Sequence, residues 1–325
     1  MLRRNFVGII GGAAIGWACH ARAQQASGSL WRIAHIHPGE IDNAADHRMY
    51  DAFRSELLRL GYLEGKNLII DQRSAEGKLE RLPSFLTELI ALRPDVIVAV
   101  TTPAIAAAQK ATSTIPIIMA PSIDPIGSGF VKSLAHPGGN ITGMASMGGE
   151  VVGKGIEVLH EILPSANRIA VLMSNNPSHR WHYGMAEVAM KRLGLTPVPV
   201  LAPTPDDLEQ AFESMRKANC DALFVLGDVT RPAIVALAAR LRIPAVYQSS
   251  PLVRLGGLAS YAPSLEAIFR KVAQYVDMIF KGAKPAELPV EQPVVFELAL
   301  NLKTAASLGL TIPDDLIGRA DEVIE

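Results

Sequence analysis

Residues 95–112 read DVIVAVTTPAIAAAQKAT. A nearly unbroken run of valine, isoleucine and alanine gives way to two threonines, a proline and an alanine-rich stretch. A continuous apolar run suits a parallel strand covered on both faces, where an alternating run would suit a half-exposed one. Proline is favoured at the first position of a helix, where its missing N–H is not needed, and the threonine before it can cap that helix. The stretch is therefore expected to be a strand, a short polar loop and a helix. The same order recurs as IMAPSID before Pro125, LMSNN before Pro177 and LGDVTR before Pro232.

Working outward, apolar runs are expected as strands at 31–37, 67–71, 95–100, 115–120, 141–146, 168–174, 196–202, 222–228, 244–250 and 258–263. Helical stripes are expected at 47–60, 80–92, 103–112, 126–135, 151–162, 181–193, 206–218, 231–241, 264–281 and 303–309. In the first, Tyr50, Phe53, Leu57 and Leu60 recur at spacings of three and four, and Gly61 ends the stripe. Such alternation over most of a chain predicts an α/β fold with parallel sheets and right-handed crossovers. One βα series ends at Pro137-Gly138-Gly139-Asn140 and a fresh one starts near Arg168, so two doubly wound lobes fit better than one sheet. Crossings between them are expected near 141–147, 256–263 and 290–298. Lobe one then comprises 29–143 plus 261–289, and lobe two 148–258 plus 294–325.

The chain has 325 residues, 49% of them hydrophobic, and a formal net charge of −1. That is enough for two substantial cores, and it leaves no electrostatic footprint for nucleic acid or an anionic membrane. The first residues, MLRRNFVGIIGGAAIGWACHARAQQ, have the basic start, short apolar run and Ala21-Arg22-Ala23 site of an export signal, with cleavage expected after Ala23 and a periplasmic destination. Arg3-Arg4-Asn5-Phe6 also fits a twin-arginine signal. Cys220 alone then remains, so no internal disulfide is possible and packing must supply stability.

The four strand-to-proline loops place capped helix starts at the carboxyl ends of strands, the edge where open α/β sheets bind ligands. Free N–H groups and the positive helix end favour a carboxylate or another anion there. Thr102, Asp124 and Asn176 are the expected caps. His37 at the end of the first strand is a candidate cleft residue, and Trp181 or Tyr183 could stack on an apolar ligand or pack in the core. No phosphate loop or nucleophile elbow is present. The pairs His35/His37 and His179/His182 lack a third ligand at a telling spacing. Neither a catalytic residue, a metal site nor a cofactor is expected. The terminal DDLIGRADEVIE is expected to be a solvated helix face and tail.

Several long stretches resemble a known family: GYLEGKNLIID, AEGKLERLPSFLTELIALRPDVIVAV, TIPIIMAPSIDPIGSGFVKSLAHPGGNITG, and YAPSLEAIFRKVAQYVDMIFKGAKPAELPVEQPVVFELALNLKTAASLGLTIP. They are similar to the ABC-transporter substrate-binding family that includes tryptophan- and tyrosine-type binding proteins, from about Trp31 to Glu325. The resemblance implies a type I periplasmic-binding-protein fold, two α/β lobes joined by three hinge strands. It implies a monomeric receptor that closes on a small solute and delivers it to the permease and ATPase of an ABC importer. Carried onto matching positions, the ligand contacts are Thr101, Thr102, Ser122, Asp124, Asn175 and Asp228, with Ser146 at the hinge and His37 after the first strand. Aromatic amino acids have first claim as ligand; branched amino acids, aromatic acids and other small carboxylates stay open. Gly155 and the run SHRWHYGMAE depart from the family pattern. A sensor that presents its solute to a membrane receptor is the alternative reading, with a periplasmic enzyme on the same fold after it.

Overall fold

The structure, a computed structural model, describes residues 30–39, 44–146, 148–228 and 231–325. Residues 1–29, where the export signal is expected, residues 40–43, Met147 and the pair Val229-Thr230 lie outside the described residues.

The first half of the chain runs β1 (Trp31–His37), α1 (Ala44–Arg59), β2 (Leu68–Ser74), α2 (Leu82–Ala91), β3 (Val96–Ala99), α3 (Thr101–Ala111), β4 (Ile117–Ser122) and β5 (Ile141–Ala145). The second half opens with α4 (Gly148–Ile162), β6 (Arg168–Met173), α5 (His179–Arg192), β7 (Thr196–Leu201), α6 (Leu208–Lys217), β8 (Ala222–Val225), α7 (Pro232–Leu241) and β9 (Ala245–Tyr247). It continues with α8 (Ser250–Arg254), β10 (Ala259–Pro263), α9 (Leu265–Phe280), β11 (Phe296–Asn301), α10 (Leu302–Leu308), α11 (Asp314–Gly318) and β12 (Glu322–Ile324).

Two sheets result. The first has the order β2-β1-β3-β4-β5 and is parallel throughout. The second repeats that order as β7-β6-β8-β9-β10 and adds β11, antiparallel to β10, and then β12. The strands of the first sheet other than the edge strand β2 bury both faces. Ile33, Val96, Val98 and Ile118 pack under α1 and α9, while Ala34, Ile36, Ile97 and Ile117 pack under α2 and α3. The second sheet divides likewise, with Val171, Phe224 and Leu300 facing α4 and α5, and Leu172, Leu223 and Tyr247 facing α6 and α7. Residues covered on both sides explain the continuous apolar runs. Strand β7 carries Pro197 and Pro199 and lies at the sheet edge, where a missing N–H costs no ladder bond.

Helix α9 follows β10 of the second sheet yet packs on the first. Phe269, Val272 and Val276 join Phe53 and Leu57 in one core. The chain then returns beside β5, where Ala145 N donates to Glu291 O at 2.8 Å and Glu291 N to Gly143 O at 3.0 Å. The stretches expected as crossings are thus partly strand. Ala259–Pro263 and Phe296–Asn301 pair with each other in the second sheet, because Ala259, Leu298 and Leu300 complete its core. The chain passes between sheets after Ala145, after Pro263 and between Glu291 and Phe296.

Three local expectations need correction. Residues 126–135 do not form a helix. Asp124 Oδ1 accepts from Gly127 N at 2.8 Å, one turn forms, and Gly129 takes φ +71°. Gly129 N then bonds to Ile126 O and Phe130 N to Pro125 O, the paired bonds that close a helix end, and Phe130 and Val131 turn into the core. The tail is not a solvated face alone: α11 buries Leu316, and β12 pairs parallel with β11. Residues 250–254, expected at most as a strand end, form the short helix α8, opened by Pro251.

Candidate functional site

The order 2-1-3-4-5 reverses its winding between its second and third strands. In such sheets the crevice at that switch point, outside the carboxyl ends, is the ligand site. Here the switch points are β1/β3 and β6/β8. Residues at or just beyond the ends of those four strands meet in one cavity of about 110 Å³: His37, Thr101, Asn176 and Asp228. Ser146, after β5, and Gln248 and Ser249, after β9, join them. Apolar walls come from Met49, Val100, Ile123, Val151, Leu265 and Phe269. Among the described residues the lining has one carboxylate and neither lysine nor arginine.

The second-sheet wall is a connected hydrogen-bond network. Ser174 N donates to His179 Nδ1 at 2.8 Å, which leaves the proton on Nε2 to be donated to Gly227 O at 3.1 Å. Ser174 Oγ donates to Asp228 Oδ2, and Asn176 Nδ2 to Asp228 Oδ1 at 3.3 Å. Arg231 holds the same carboxylate at 3.4 Å. Asn176 Oδ1 accepts from Ser178 N at 3.1 Å, an Asx turn that aims the asparagine inward. Gly227 N donates to Gln248 Oε1 at 3.0 Å. His182 lines the cavity one helical turn after His179, and both its ring nitrogens are buried without partners. Burial, with help from the nearby His179, lowers its pKa to about 3, so the imidazole is neutral at physiological pH.

The first-sheet wall is built differently. Thr101 takes φ +61°, which a β-branched residue adopts only under constraint, and its buried Oγ1 has no partner. It opens α3, so free helical N–H groups start there. His37 Nδ1 accepts from Gly39 N at 3.0 Å. Thr102 is buried and accepts from Ser178 Oγ at 3.1 Å, a bond from one lobe to the other that marks a closed cleft.

Of the residues singled out from sequence, His37, Thr101, Ser146 and Asp228 line this cavity. Thr102 lies behind it in the interlobe bond. Ser122 is wholly buried with its Oγ unpartnered, and its carbonyl accepts from Ser146 N at 2.7 Å. Asp124 caps its turn. Asn175 is exposed and lines a neighbouring cavity, while Asn176 lines both. Trp181 is 44% exposed and Tyr183 packs at the edge of the second core. His182 went unnamed as a cleft residue, although buried positions 179, 182, 186 and 190 mark one helical face on which its sequence position could have been read. Gly155 allows close packing: a Cβ there would lie 2.9 Å from the Phe224 ring. Among the described residues, no group of three or more His, Cys, Asp or Glu is placed to hold a metal ion, and no helix is long and apolar enough to cross a membrane.

Comparison with known proteins agrees with this architecture. Residues 40–324 match the family described as "ABC transporter substrate binding protein". A curated relative from Clostridioides difficile, named "Tyrosine-binding protein", is 26% identical over 279 residues, 83% of this chain and 80% of that protein. The solved ABC domain from Streptococcus pneumoniae in complex with L-Trp superposes with a TM-score of 0.83 at 26% identity, over 91% of this chain and 100% of that one. A conserved domain protein from Vibrio cholerae gives 0.85 at 27% identity, over the same shares. The fold is that of the type I periplasmic binding proteins, and the chain belongs to the ABC transporter substrate-binding protein family.

Proposed function

We propose that this chain is the exported solute receptor of an ABC importer, and that its solute is a free amino acid with an apolar or aromatic side chain. The observation that carries this reading is the charge pattern of the cavity. Among the described residues its one carboxylate, Asp228, sits on the second-sheet wall, and neither lysine nor arginine lines the other. An ammonium group then belongs at Asp228. The solute's carboxylate belongs on the first-sheet wall, at the free N–H groups that open α3 and at the hydroxyls of Thr101 and Ser146. Met49, Val151 and Phe269 would enclose the side chain. The binding named for the Clostridioides relative and the L-Trp complex of the pneumococcal domain support the same solute class. Closure uses the Ser178–Thr102 bond, and a solute favours the closed form by its differential affinity for it. Delivery is to a membrane permease and its ATPase, in the periplasm, after removal of residues 1–23.

A thermal-shift screen of residues 24–325 against amino acids, aromatic acids, sugars and divalent metals tests this. Free ligand at about 100 times its dissociation constant adds roughly 2.7 kcal/mol to the native state. That raises the midpoint by at least about 2 °C in a chain of this size. A shift confined to tryptophan, tyrosine or another apolar amino acid, recovered unaltered after binding, is the expected outcome. Shifts with sugars or metals alone would overturn it.

A further inference from the structure

A second compartment lies beyond the Asn176–Asp228 wall. It has a volume of about 290 Å³ and is bounded by both lobes: Gly77 and Pro103 from the first, Asn175, Pro205, Arg231 and Ala233 from the second. Its outer lip is where Gly77 meets the Pro205 ring. Two acidic groups also face it. Asp228 is bonded to Ser174, Asn176 and Arg231, and Glu76, at the lip, is paired with Arg81 at 2.7 Å.

Arg231 is the unusual member. Its residue surface is only 9% exposed. A guanidinium carries five N–H donors. Here Nη1 donates to Ala202 O at 3.0 Å and Nη2 reaches Asp228 at 3.4 Å, while Nε has no partner. Buried donors left idle cost free energy, and a guanidinium presents them as a fork that matches a planar oxyanion. Arg231 also stands at the start of α7, a ten-residue helix with no side-chain cap among the described residues and no acidic residue in its first turn. The Ala233 N–H belongs to the free donors of that helix end.

From the buried guanidinium, the helix start and the interlobe volume between them, we propose that this compartment binds a small oxyanion, a carboxylate or phosphate group. Two sources offer that chemistry. One is a free anion bound beside the solute. The other is the distal carboxylate of a solute long enough to pass Asn176 and Asp228. The first source is independent of the amino-acid reading given above; the second rests on it.

Titration calorimetry separates them. The probes are inorganic phosphate and acetate, and the diacids L-2-aminoadipate and L-2-aminopimelate against L-norleucine. The variant is Ala233→Glu, which puts a carboxylate at this compartment and the adjoining surface groove but not in the first cavity, at a helix start that tolerates one. L-Tryptophan is the control for the first cavity, and circular dichroism for folding. If phosphate or acetate binds the wild type, and Ala233→Glu weakens it about ten- to hundredfold, the free-anion source is right. If only the diacids bind more tightly than norleucine, and the variant removes that advantage, the distal carboxylate is right. Loss of amino-acid binding with phosphate binding intact would sink the solute reading and leave this one standing. If no anion binds, or if Ala233→Glu leaves every anion and diacid affinity unchanged, the proposal is overturned.

Discussion

The two walls of the cleft reach the same place by different means. The second-sheet wall is wired before any solute arrives. Ser174, Asn176, His179 and Asp228 satisfy one another, and Arg231 backs the carboxylate. The first-sheet wall has few such bonds. It offers a strained threonine, an idle hydroxyl and the open end of α3. One wall is preorganised by side-chain hydrogen bonds, the other by backbone geometry. In the proposed reading the wired wall fixes the ammonium, and the strained wall keeps its donors unpaired for the carboxylate.

The sharpest way to break that contrast is to remove the centre of the wired wall. Asp228→Ala deletes the proposed ammonium partner and leaves Arg231 without its counterion. Solute affinity measured by calorimetry should fall by about 3 kcal/mol, roughly a hundredfold. An unchanged affinity would take Asp228 out of the site.

The backbone geometry behind the first-sheet wall can be tested at Gly143, a buried position of β5 next to the bulge between β4 and β5. Its φ is +124°, and a Cβ would lie 2.6 Å from Met119 N. Gly143→Ala should cost on the order of 2–3 kcal/mol in urea unfolding, since the obstruction is backbone and cannot swing aside. A full-strength midpoint would show that the bulge is soft.

Each half of the molecule also holds a buried histidine without hydrogen-bond partners that stays neutral. Burial lowers the pKa of His35 to about 3, with the charge of His37 adding to the effect, and His182 falls to about 3 for similar reasons. The unfolded chain takes up protons near pH 6.5 and the native chain does not. Native stability is therefore full above pH 6.5 and is lost as pH falls toward 3. At pH 5 each histidine should cost on the order of 2 kcal/mol. His35→Leu should flatten the pH dependence of the urea midpoint between pH 6.5 and 4. An unaltered slope would contradict its neutral burial.

The smallest effect separates strain from function at one residue. Thr101→Gly relieves the left-handed backbone and should stabilise the fold by about 1 kcal/mol, while weakening solute binding through loss of the hydroxyl. A variant that is less stable than the wild type would show that the threonine side chain supports the fold.

The βα alternation and the strand-to-proline loops were legible because both depend on local pattern. Continuous apolar runs marked strands covered on two faces, and Pro103, Pro177 and Pro232 marked loop-to-helix junctions. The short segment after Pro125 misled for a physical reason: the same residues that start a helix also fit one turn, and Gly129 in the left-handed region ends it. The neighbouring choice between Asn175 and Asn176 was not legible, because an Asx turn decides which side chain faces the cavity. Strand β11 hid behind prolines and a glutamate, since it is an antiparallel addition whose partner, β10, lies more than thirty residues earlier.

A crystal structure of the chain with its bound solute tests the central claim most directly. The account expects the solute between the carboxyl edges of the two sheets, its ammonium within hydrogen-bond distance of Asp228 and its carboxylate against Thr101 and the start of α3. A solute that leaves Asp228 untouched, or whose carboxylate lies on the second-sheet wall, would contradict it.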